Sequence, residues 1–314
     1  MNEFCSRFRD DFDGLLAFRK SVGFDTKKLR YLLLRFDRYC CQRQWDGVLT
    51  KEIVHDWISH EEAVSGKNLS HKAEAMKMLG QYLTASQQEA YVLPTRLIPP
   101  RPRAELHVLS KDQMKRLFAT IDNYPYRTSL HPRIPPVLFR LIYTCGLRPG
   151  EGVFLEKDSF DVDQCIIRIN QGKGHKDRIV PLSNDMASML KSYKIWLDKT
   201  FPRSKYMFPS LQGGALRLQN VRKILLNSWR DVGGVGRHRL RVYDLRHQFA
   251  SQVIQNWVNE KKNINQLFPY LRAFMGHENF NETFYYIHLL PKETSLSKGI
   301  NWTHLNAIIP EVSK

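Results

Sequence analysis

The sequence lacks any long hydrophobic run. Nowhere in its 314 residues do roughly 18 consecutive apolar side chains occur, the length that a membrane-spanning helix needs. The first residues, MNEFCSRFRDDFDG, alternate acidic and basic side chains, whereas a secretory signal peptide requires an apolar stretch there. We therefore expect a cytoplasmic protein.

Cysteine is scarce, and its spacing indicates no cross-link. The five cysteines form an odd set without a CxxC pair: Cys5, Cys40, Cys41, Cys145 and Cys165. A disulfide framework or a thiolate zinc site is therefore not indicated, and reduced cysteines that pack in the interior are the simplest interpretation. The sequence also lacks a P-loop and a histidine or carboxylate metal cluster, so neither a metal nor another cofactor is expected.

Acidic side chains are in the minority. Lysine and arginine number 48 against 31 aspartates and glutamates, which gives a formal net charge of +17. Such an excess favours a polyanionic partner, such as nucleic acid, over a neutral metabolite. Lysines scattered for solubility remain an alternative explanation of the charge alone.

Four helical patterns occupy the first ninety residues. Between residues 26 and 45, apolar side chains recur at steps of three and four, the period of one helix face: Leu29, Leu32, Leu33, Phe36, Tyr39 and Cys40. Similar patterns cover residues 12–18, 50–60 and 70–88. We expect a compact helical domain over residues 1–92, with its aromatic stripes in the core.

A basic, proline-rich segment follows, LPTRLIPPRPRAEL, in which the prolines exclude a regular helix. Residues 93–108 are predicted to form an extended linker between two domains. Arg96, Arg101 and Arg103 could then lie along DNA phosphates. A solvated hinge explains the same composition equally well.

The second predicted domain covers residues 109–290. Ser110 and Gln113 form a capping box at its first helix. Further helices are predicted over residues 136–145, 185–198, 221–231, 244–259, 265–275 and 281–289. Between them, CIIRINQGKGHKDRIVPL has two β-rich runs on either side of a glycine-rich turn, the pattern of a hairpin. The expected fold class is mainly α with a small β-sheet, of the α+β type.

Several motifs in the second domain carry residues that could act on a phosphodiester bond. Exchange of such a bond requires a nucleophile, cations that hold the charge of the phosphate, and an acid that protonates the leaving oxygen. Arg148, in TCGLRPGE, stands where Gly146 ends one helix and Pro149 suits the start of another. Glu151 could pair with this arginine and fix its rotamer. By itself, an arginine between two helices is more often exposed or salt-bridged.

A second arginine, Arg246, lies in YDLRHQFAS near the start of a predicted helix. A basic stretch precedes it and could line a phosphate groove, with Arg230, Arg237, Arg239 and Arg241. A solvated loop is the plainer interpretation of these charges alone.

The hairpin turn and the last motif supply the remaining candidates. Lys173 could carry an ammonium group to the leaving oxygen, and Lys176 is its rival in the same loop. In MGHENFNETFYYIH, His277 lies at a helix end and Tyr286 nine residues later. Taken alone, a hairpin lysine is usually a surface charge, and a tyrosine in a short helix is usually a core residue.

In order and spacing, these motifs together resemble the catalytic domain of the tyrosine recombinase or phage integrase family of site-specific DNA recombinases. GLRxxE, GKGxKxRxVPL, xDLRHxFAS and a GHxxxxxTxxYxxxH-like segment run in family order through residues 140–290. The helical first domain and the linker resemble the family's core-binding half in character rather than in motif.

The resemblance implies a role for each matched residue. Arg148 and Arg246 would clamp the scissile phosphate, and Lys173 would be the general acid. His277 would contact the phosphate or support the residues that do. Tyr286 would be the nucleophile.

The tyrosine needs a choice, and one position departs from the family. Tyr286 is preferred over Tyr285 because the family's tyrosine stands nine residues after the histidine of the GH motif.

Tyr243 stands three residues before the second arginine, where the family usually has histidine or lysine. A phenol with a reference pKa near 10 shuttles protons poorly at neutral pH. Proton transfer would then fall more heavily on His277 and Lys173, and the nearby His247 and His238 could compensate.

The resemblance also implies a mechanism and partners. A 3′-phosphotyrosyl intermediate would form without metal or nucleotide, on double-stranded DNA with specific recombination sites. A tetramer of this chain would exchange strands through a Holliday junction at the prokaryotic nucleoid, and accessory DNA-bending or directionality proteins would be further partners. Residues 291–314 would dock on a neighbouring protomer or, equally, pack on their own domain.

Three alternatives stay open. A type IB topoisomerase uses the same clamp and nucleophile, but it would relax plasmid that lacks any target site. A catalytically silent relative would bind specific DNA and never leave a covalent adduct. A helical scaffold protein would show no salt-dependent affinity for DNA.

Overall fold

The computed structural model describes residues 3–60, 66–99, 108–125, 130–170, 177–234 and 240–277, together with Thr283. The chain divides into two units, Met1–Ala104 and Glu105–Lys314. This division falls inside the segment predicted to be a linker, residues 93–108. The finer domain boundaries and the docking of residues 291–314 stay predictions.

Four helices build the described part of the first unit: α1 (Arg9–Ser21), α2 (Lys27–Gln42), α3 (Lys51–Ser59) and α4 (Gly66–Ala85). Each corresponds to a predicted helical pattern. Thr50 caps α3 by accepting a hydrogen bond from the amide of Ile53. Helix α4 packs on the other three, so the four helices share one core. A 3₁₀ turn, Thr95–Leu97, lies within the proline-rich segment.

The aromatic stripes of the first unit lie in its core. Phe8, Phe12 and Phe36 are fully buried, and Phe36 meets Trp57 edge-on with ring centroids 5.2 Å apart. Such tilted contacts are the favoured arrangement of packed aromatic rings. The interpretation of these stripes as core residues is confirmed.

All five cysteines are free thiols. Cys40 and Cys145 are buried in the two cores. Cys5 and Cys41 meet beside Asp37, with their Sγ atoms 2.6 Å apart. Hydrogen bonds to Cys41 and to Asp37 raise the pKa of Cys5 to about 12. This thiol therefore stays protonated at neutral pH, where only a thiolate would be nucleophilic or bind a metal.

Helices dominate the described part of the second unit, which also contains a small sheet. They are α5 (Lys111–Asp122), α6 (Ile134–Thr144), α7 (Pro149–Val153), α8 (Asn184–Thr200), α9 (Leu218–Asp231), α10 (Val242–Asn259) and α11 (Ile264–Met275). A 3₁₀ turn, Lys157–Ser159, precedes the sheet. The predicted fold class, mainly α with a small sheet, is confirmed.

The sheet has three antiparallel strands in the order β1-β2-β3, which are β1 (Phe160–Asp161), β2 (Ile166–Ile169) and β3 (Arg178–Pro181). Strands β2 and β3 are the two arms of the predicted hairpin, and their register pairs Ile169 with Arg178. The turn of the hairpin, residues 171–176, lies outside the described residues. Strand β1 was not predicted, because two residues are too few to show an alternating pattern.

Helix α6 is the buried centre of the second unit. It packs against α5, α7, α8 and α10. Leu138, Phe139, Leu141 and Ile142 on this helix are fully buried, as expected for a helix enclosed by others. Because α6 ends shortly before Arg148, the packing of this buried helix fixes the position of the backbone that carries Arg148.

The helix ends agree with the predicted signals. Ser110 accepts a hydrogen bond from the Gln113 amide, and the Gln113 side chain accepts one from the Ser110 amide, which completes the predicted capping box. The helix predicted over residues 281–289 lies outside the described residues except for Thr283, which is helical. In the part of the chain that is described, none of the helices is both long and apolar enough to span a bilayer.

Candidate active site

Arg148 lies at a rigid corner between two helices. Helix α6 ends, Gly146 turns the chain with a φ of +57°, and α7 begins at Pro149. A Cβ added to Gly146 would lie 2.5 Å from the ring of Phe249 and 2.8 Å from Sδ of Met275. Only glycine fits this position. Close packing therefore sets the backbone direction from which Arg148 projects.

The carboxylate of Glu151 gathers three arginines. Arg148 donates to it from its backbone amide at 2.8 Å and from Nη1 at 2.9 Å, so the predicted pair is present. Arg178 donates from Nη1 and Nη2 to the two carboxylate oxygens at 2.8 and 2.7 Å, the bidentate geometry that favours a strong ion pair. Nη1 of Arg246 lies 4.0 Å from the same carboxylate.

Glu151 is held in its charged form. Burial by itself would raise the pKa of this carboxyl, but hydrogen bonds and positive charge from Arg178, and then from Arg148, lower it to about 2. The side chain is 9% exposed. A carboxylate that stays ionised at every physiological pH cannot act as an acid, so its contribution here is to hold the guanidinium groups.

Arg246 is fully buried in the first turns of α10. Its Nη1 donates to the carbonyl of Gly146 at 2.7 Å, and its Nη2 donates to the carbonyl of Met275 at 2.6 Å. Because a guanidinium keeps its proton even when buried, this charge remains inside the protein and is held by carbonyl dipoles.

The C-terminal end of α11 joins the three arginines. Three consecutive carbonyl oxygens each accept a hydrogen bond from a different arginine: Phe274 from Nε of Arg178 at 3.0 Å, Met275 from Nη2 of Arg246 at 2.6 Å, and Gly276 from Nη2 of Arg148 at 2.5 Å. The last carbonyls of a helix have no partners within the helix and form the negative end of its dipole. This helix end is therefore a natural binding site for cations.

Gly276 ends α11 in the left-handed conformation, with a φ of +63°. A Cβ added here would lie 3.1 Å from Cδ and Nη1 of Arg178, tighter than ordinary van der Waals contact. The turn thus requires glycine both for its backbone angle and for the close approach of the arginine.

His277 follows this turn and is buried, with its Nδ1 2.8 Å from Oγ1 of the buried Thr283. Burial, and then the positive charges of Arg246, Arg148 and Arg178, lower the pKa of His277 to about 3. The imidazole is therefore neutral at physiological pH in the DNA-free protein.

Tyr243 and His247 lie beside Arg246 on α10. Their rings meet edge-on with centroids 4.8 Å apart, and the guanidinium carbon of Arg246 lies 6.0 Å from the Tyr243 ring. Burial lowers the pKa of His247 to about 4; the charge of Asp244 partly opposes this shift, and nearby arginines add to it. His247 is therefore also neutral near pH 7 and is poorly suited to protonate a leaving group in the DNA-free state.

The charges of the cluster do not balance. Three guanidinium groups carry +3 and Glu151 carries −1, which leaves a net charge of +2 around two neutral histidines. A concentrated, partly dehydrated positive charge is suited to bind a phosphate and to stabilise charge that develops on it.

Residues 107–293 match the model of the phage integrase family. The chain belongs to that family. Membership confirms the predicted family and enzyme class, a tyrosine-type site-specific recombinase. The match covers more than half of the chain and includes every element that contributes to the arginine cluster.

Curated relatives of this integrase-family protein match most of its length. The tyrosine recombinase XerD of Rickettsia bellii is 23% identical over 303 residues, which are 91% of this chain and 94% of the relative. The tyrosine recombinase XerA of Thermococcus kodakarensis is 25% identical over 245 residues, 76% of this chain and 78% of the relative.

Solved structures of other recombinases share the fold. XerH recombinase bound to difH substrate, in a pre-cleavage complex, superposes with a TM-score of 0.67 at 17% identity, over 88% of this chain and 81% of that one. A lambda integrase tetramer bound to a Holliday junction gives a TM-score of 0.67 at 11% identity, over 91% and 78% of the two chains. At such low identity these likenesses concern the fold alone.

Several predicted site residues of this integrase lie outside the described residues. They are Lys173, Lys176, Arg101, Arg103, Arg237, Arg239, Tyr285 and Tyr286. Of the predicted catalytic group, the structure therefore brings together Arg148, Arg246 and His277, with Glu151, Tyr243 and His247 close by. The roles predicted for all of these residues stay predictions.

Two predicted DNA contacts can be placed individually. Arg96 is exposed in the 3₁₀ turn of the first unit. Arg241 precedes α10 and forms an ion pair with Asp244, with Nη2 2.6 Å from a carboxylate oxygen. The Asp244 carboxylate also accepts from the Arg241 amide, so this arginine contributes to the start of α10.

Sequence reasoning missed two residues of the site. Arg178 stands in the hairpin motif, but a basic residue on a short strand is ordinarily a solvent-facing charge, and its partner Glu151 is 27 residues away. Thr283 stands in the last motif and touches His277. Arg178 is the arginine of the motif GKGxKxRxVPL, and Thr283 is the threonine of GHxxxxxTxxYxxxH. Their places in these two motifs were the only indication in the sequence that they belong to the site.

Proposed function

We propose that this protein is an integrase that cleaves and rejoins DNA strands at specific sites, through a covalent 3′-phosphotyrosyl bond formed by Tyr286. Neither metal nor nucleotide enters the proposed reaction. The phosphodiester energy is retained in the covalent intermediate, and guanidinium groups supply the positive charge that the phosphate requires.

One observation carries the proposal. Three arginines, which lie just before α7, in β3 and in α10, converge on a single carboxylate and on one helix end, and the cluster retains a net positive charge. Two of these, Arg148 and Arg246, are the arginines of the family motifs. A structural ion-pair network would need only enough positive charge to balance Glu151.

Arg148 and Arg246 are assigned to the phosphate clamp, and they differ in how accessible each is before DNA binds. Arg148 is 13% exposed, and two of its five guanidinium N–H groups serve Glu151 and Gly276, so it can add a phosphate oxygen where it stands. Arg246 is fully buried, so it must be uncovered when DNA binds. Glu151 is assigned to holding the arginines, because an ionised carboxylate repels phosphate.

The remaining roles balance the reaction. The phenolic oxygen of Tyr286 gives its proton to water and attacks phosphorus, and the bond from phosphorus to the 5′ oxygen breaks. Lys173 protonates that departing oxygen. In the second step, a free 5′ hydroxyl gives its proton to the now neutral Lys173 amine and attacks the phosphotyrosyl phosphorus, and the departing Tyr286 oxygen takes up a proton from water. Neutral His277 acts as a hydrogen-bond donor or acceptor near the phosphate, and Tyr243 contributes through its hydroxyl rather than as a proton shuttle.

The proposed assembly is a tetramer on double-stranded DNA that exchanges strands through a Holliday junction. The lambda integrase tetramer on a Holliday junction, which shares the fold, supports this. We assign DNA binding to residues 1–92 and to the linker, residues 93–108, catalysis to residues 109–290, and contact with a neighbouring protomer to residues 291–314. Accessory proteins and action at a prokaryotic nucleoid belong to the same proposal.

A nicked duplex tests the proposed function. Target sequences are first selected from a random duplex library on the purified protein. A nick placed near the cleavage point then lets the cut fragment diffuse away and traps the covalent adduct on a denaturing gel. The adduct should form with the wild type, vanish in Tyr286→Phe and persist in Tyr285→Phe, because only the attacking phenol is indispensable.

The other outcomes are equally informative. Loss of the adduct in Tyr285→Phe alone would transfer the nucleophile to that residue. Specific binding without any adduct would identify a catalytically silent relative. Relaxation of a plasmid that lacks the selected site would favour a type IB topoisomerase.

A further inference from the structure

We propose that Arg178 is a positioning residue of the cleavage reaction, which holds Glu151 and the end of α11 so that Arg148 and His277 keep their places around the phosphate. The inference rests on the proposed function and deepens it. Arg178 itself does not touch the phosphate.

The contacts of Arg178 are directed at the protein. Nη1 and Nη2 donate to both oxygens of Glu151, and Nε donates to the carbonyl of Phe274. The side chain is 9% exposed. An arginine that uses both edges of its guanidinium on protein acceptors, and that is nearly sealed from solvent, is better placed to orient its neighbours than to bind DNA.

Arg178 prevents Glu151 from neutralising the clamp. One carboxylate oxygen is shared between Nη1 of Arg178 and Nη1 of Arg148, and the other between Nη2 of Arg178 and the Arg148 amide. Without Arg178, the same negative charge would be satisfied chiefly by Arg148. The net charge of the cluster would fall from +2 to +1, and the guanidinium of Arg148 would be drawn toward the carboxylate of Glu151.

Arg178 also supports the turn that leads to His277. Its Nε bonds the Phe274 carbonyl, while its Cδ and guanidinium group lie against Gly276. Strand β3 is thereby joined to α11 at Phe274, three residues before the histidine. One side chain thus links the hairpin, the carboxylate and the helix end.

Arg168 on the neighbouring strand β2 provides a matched control. It forms the same kind of pair, with Nη2 2.9 Å from a carboxylate oxygen of Asp161, but its side chain is 44% exposed. It donates hydrogen bonds to Asp161 and Gln164, which belong to the sheet and its first turn and not to the arginine cluster. Loss of Arg168 therefore removes a strand arginine and an ion pair without disturbing that cluster.

The test compares Arg178→Met, Arg178→Lys and Arg168→Met on the nicked duplex, with all sites saturated. Arg178→Met should slow adduct formation by about 100-fold while the Kd for the duplex rises by less than about 5-fold, because positioning acts mainly on the transition state. Arg178→Lys should retain part of the rate, since lysine keeps the positive charge but cannot form the bidentate pair with Glu151. Arg168→Met should match the wild type.

A double variant separates positioning from simple structural support. In Glu151→Gln, the carboxylate that Arg178 restrains is absent. Adding Glu151→Gln to Arg178→Met should therefore restore cleavage by about 10-fold relative to Arg178→Met alone, as expected when two residues act through one interaction. A purely structural role for Arg178 predicts that the second substitution adds to the damage.

The outcomes keep the two proposals distinct. Circular dichroism and melting curves establish which variants are folded, and Arg178→Lys replaces Arg178→Met if the latter is not. If the wild type forms an adduct and the folded Arg178 variants form it at the same rate, only the positioning role fails. Equal slowing in Arg168→Met, or no relief from Glu151→Gln, would also overturn it. A wild type that forms no adduct overturns both proposals.

Discussion

The three arginines around Glu151 differ most in how far each reaches solvent. Arg148 is 13% exposed, Arg178 is 9% exposed and Arg246 is fully buried. Under the proposed function, charge that develops on a non-bridging oxygen would therefore be met first by Arg148. Ground-state binding of DNA would be spread over many other cations of this basic protein.

Replacing Arg148 should separate cleavage from binding. In Arg148→Ala, we expect adduct formation on the nicked duplex to slow by roughly 1,000-fold, while the Kd rises only a few-fold, because this contact strengthens as charge builds on the phosphate. Single-turnover adduct formation and fluorescence anisotropy measure the two effects. Equal losses of cleavage and binding would show that Arg148 binds DNA without stabilising the transition state.

A matched control for this substitution lies on α6. Arg140 donates from Nη1 and Nη2 to Asp122 at 2.6 and 2.7 Å, so it is an arginine of the same unit in a bidentate pair. Arg140→Ala should change neither the cleavage rate nor the Kd by more than about 2-fold, since partly exposed pairs contribute little.

Among the elements, the C-terminal end of α11 organises the site. It offers three successive carbonyls to three arginines, and it ends in a left-handed glycine that lies against one of them. Any change in this helix end is therefore transmitted to the three arginines and to His277, which follows it directly.

A methyl group at Gly276 tests the helix end. Gly276→Ala should lower the free energy of unfolding by about 1–2 kcal/mol, from the positive φ, and should slow adduct formation by about 10-fold because Arg178 must shift. Gly213→Ala is the control, since Gly213 has a φ of +80° but nothing within 4 Å of an added Cβ. It should have a similar conformational cost and full activity. Equal cleavage rates in the two variants would contradict the role of the Arg178 contact.

For the whole molecule, the buried neutral histidines couple stability to pH. The pKa of His247 is lowered from 6.5 to about 4, and that of His277 from 6.5 to about 3. The unfolded chain takes up these two protons near pH 6.5, whereas the folded protein does not. The contribution of these two neutral histidines to the free energy of unfolding is therefore fully present above pH 6.5 and is lost as the pH falls. Glu151, with a pKa lowered from 4.5 to about 2, adds to the loss below pH 4.5.

Urea denaturation between pH 8 and 4.5 measures this coupling. Below pH 6.5, each histidine should remove up to roughly 1.4 kcal/mol of unfolding free energy per pH unit. His277→Gln and His247→Gln should each flatten the curve, and the difference between variant and wild type should be constant above pH 7.5. A stability that does not change between pH 7 and 5 would show that these imidazoles take up protons in the folded protein as readily as in the unfolded chain.

Much of the local structure follows from short-range signals. Apolar steps of three and four residues placed α2, and the Ser110–Gln113 pair marked the start of α5. Gly146 and Gly276 both ended helices, as their positions in the motifs indicated. These features depend on neighbours within about one helical turn, so they can be read from the chain alone.

The order of the motifs pointed to the family, and with it to Arg148, Arg246 and His277 as members of one site. The two-residue strand β1 and the role of Arg178 could not be found in this way. A strand of two residues shows no period, and a single arginine on a hairpin has the pattern of an ordinary surface charge.

The amino-acid sequence alone determined the helical and hairpin segments, the helix ends and the membership of the family, because each depends on residue type and on spacing along the chain. Only the tertiary structure decided that Arg178 and Arg148 share the carboxylate of Glu151, that three consecutive carbonyls at the C-terminal end of α11 each take a different arginine, and that burial and these arginines lower the pKa of His277. Hydrogen bonds and charge interactions act over a few ångströms in space, and residues as far apart as Arg148 and Gly276 come within that range only when the core has packed.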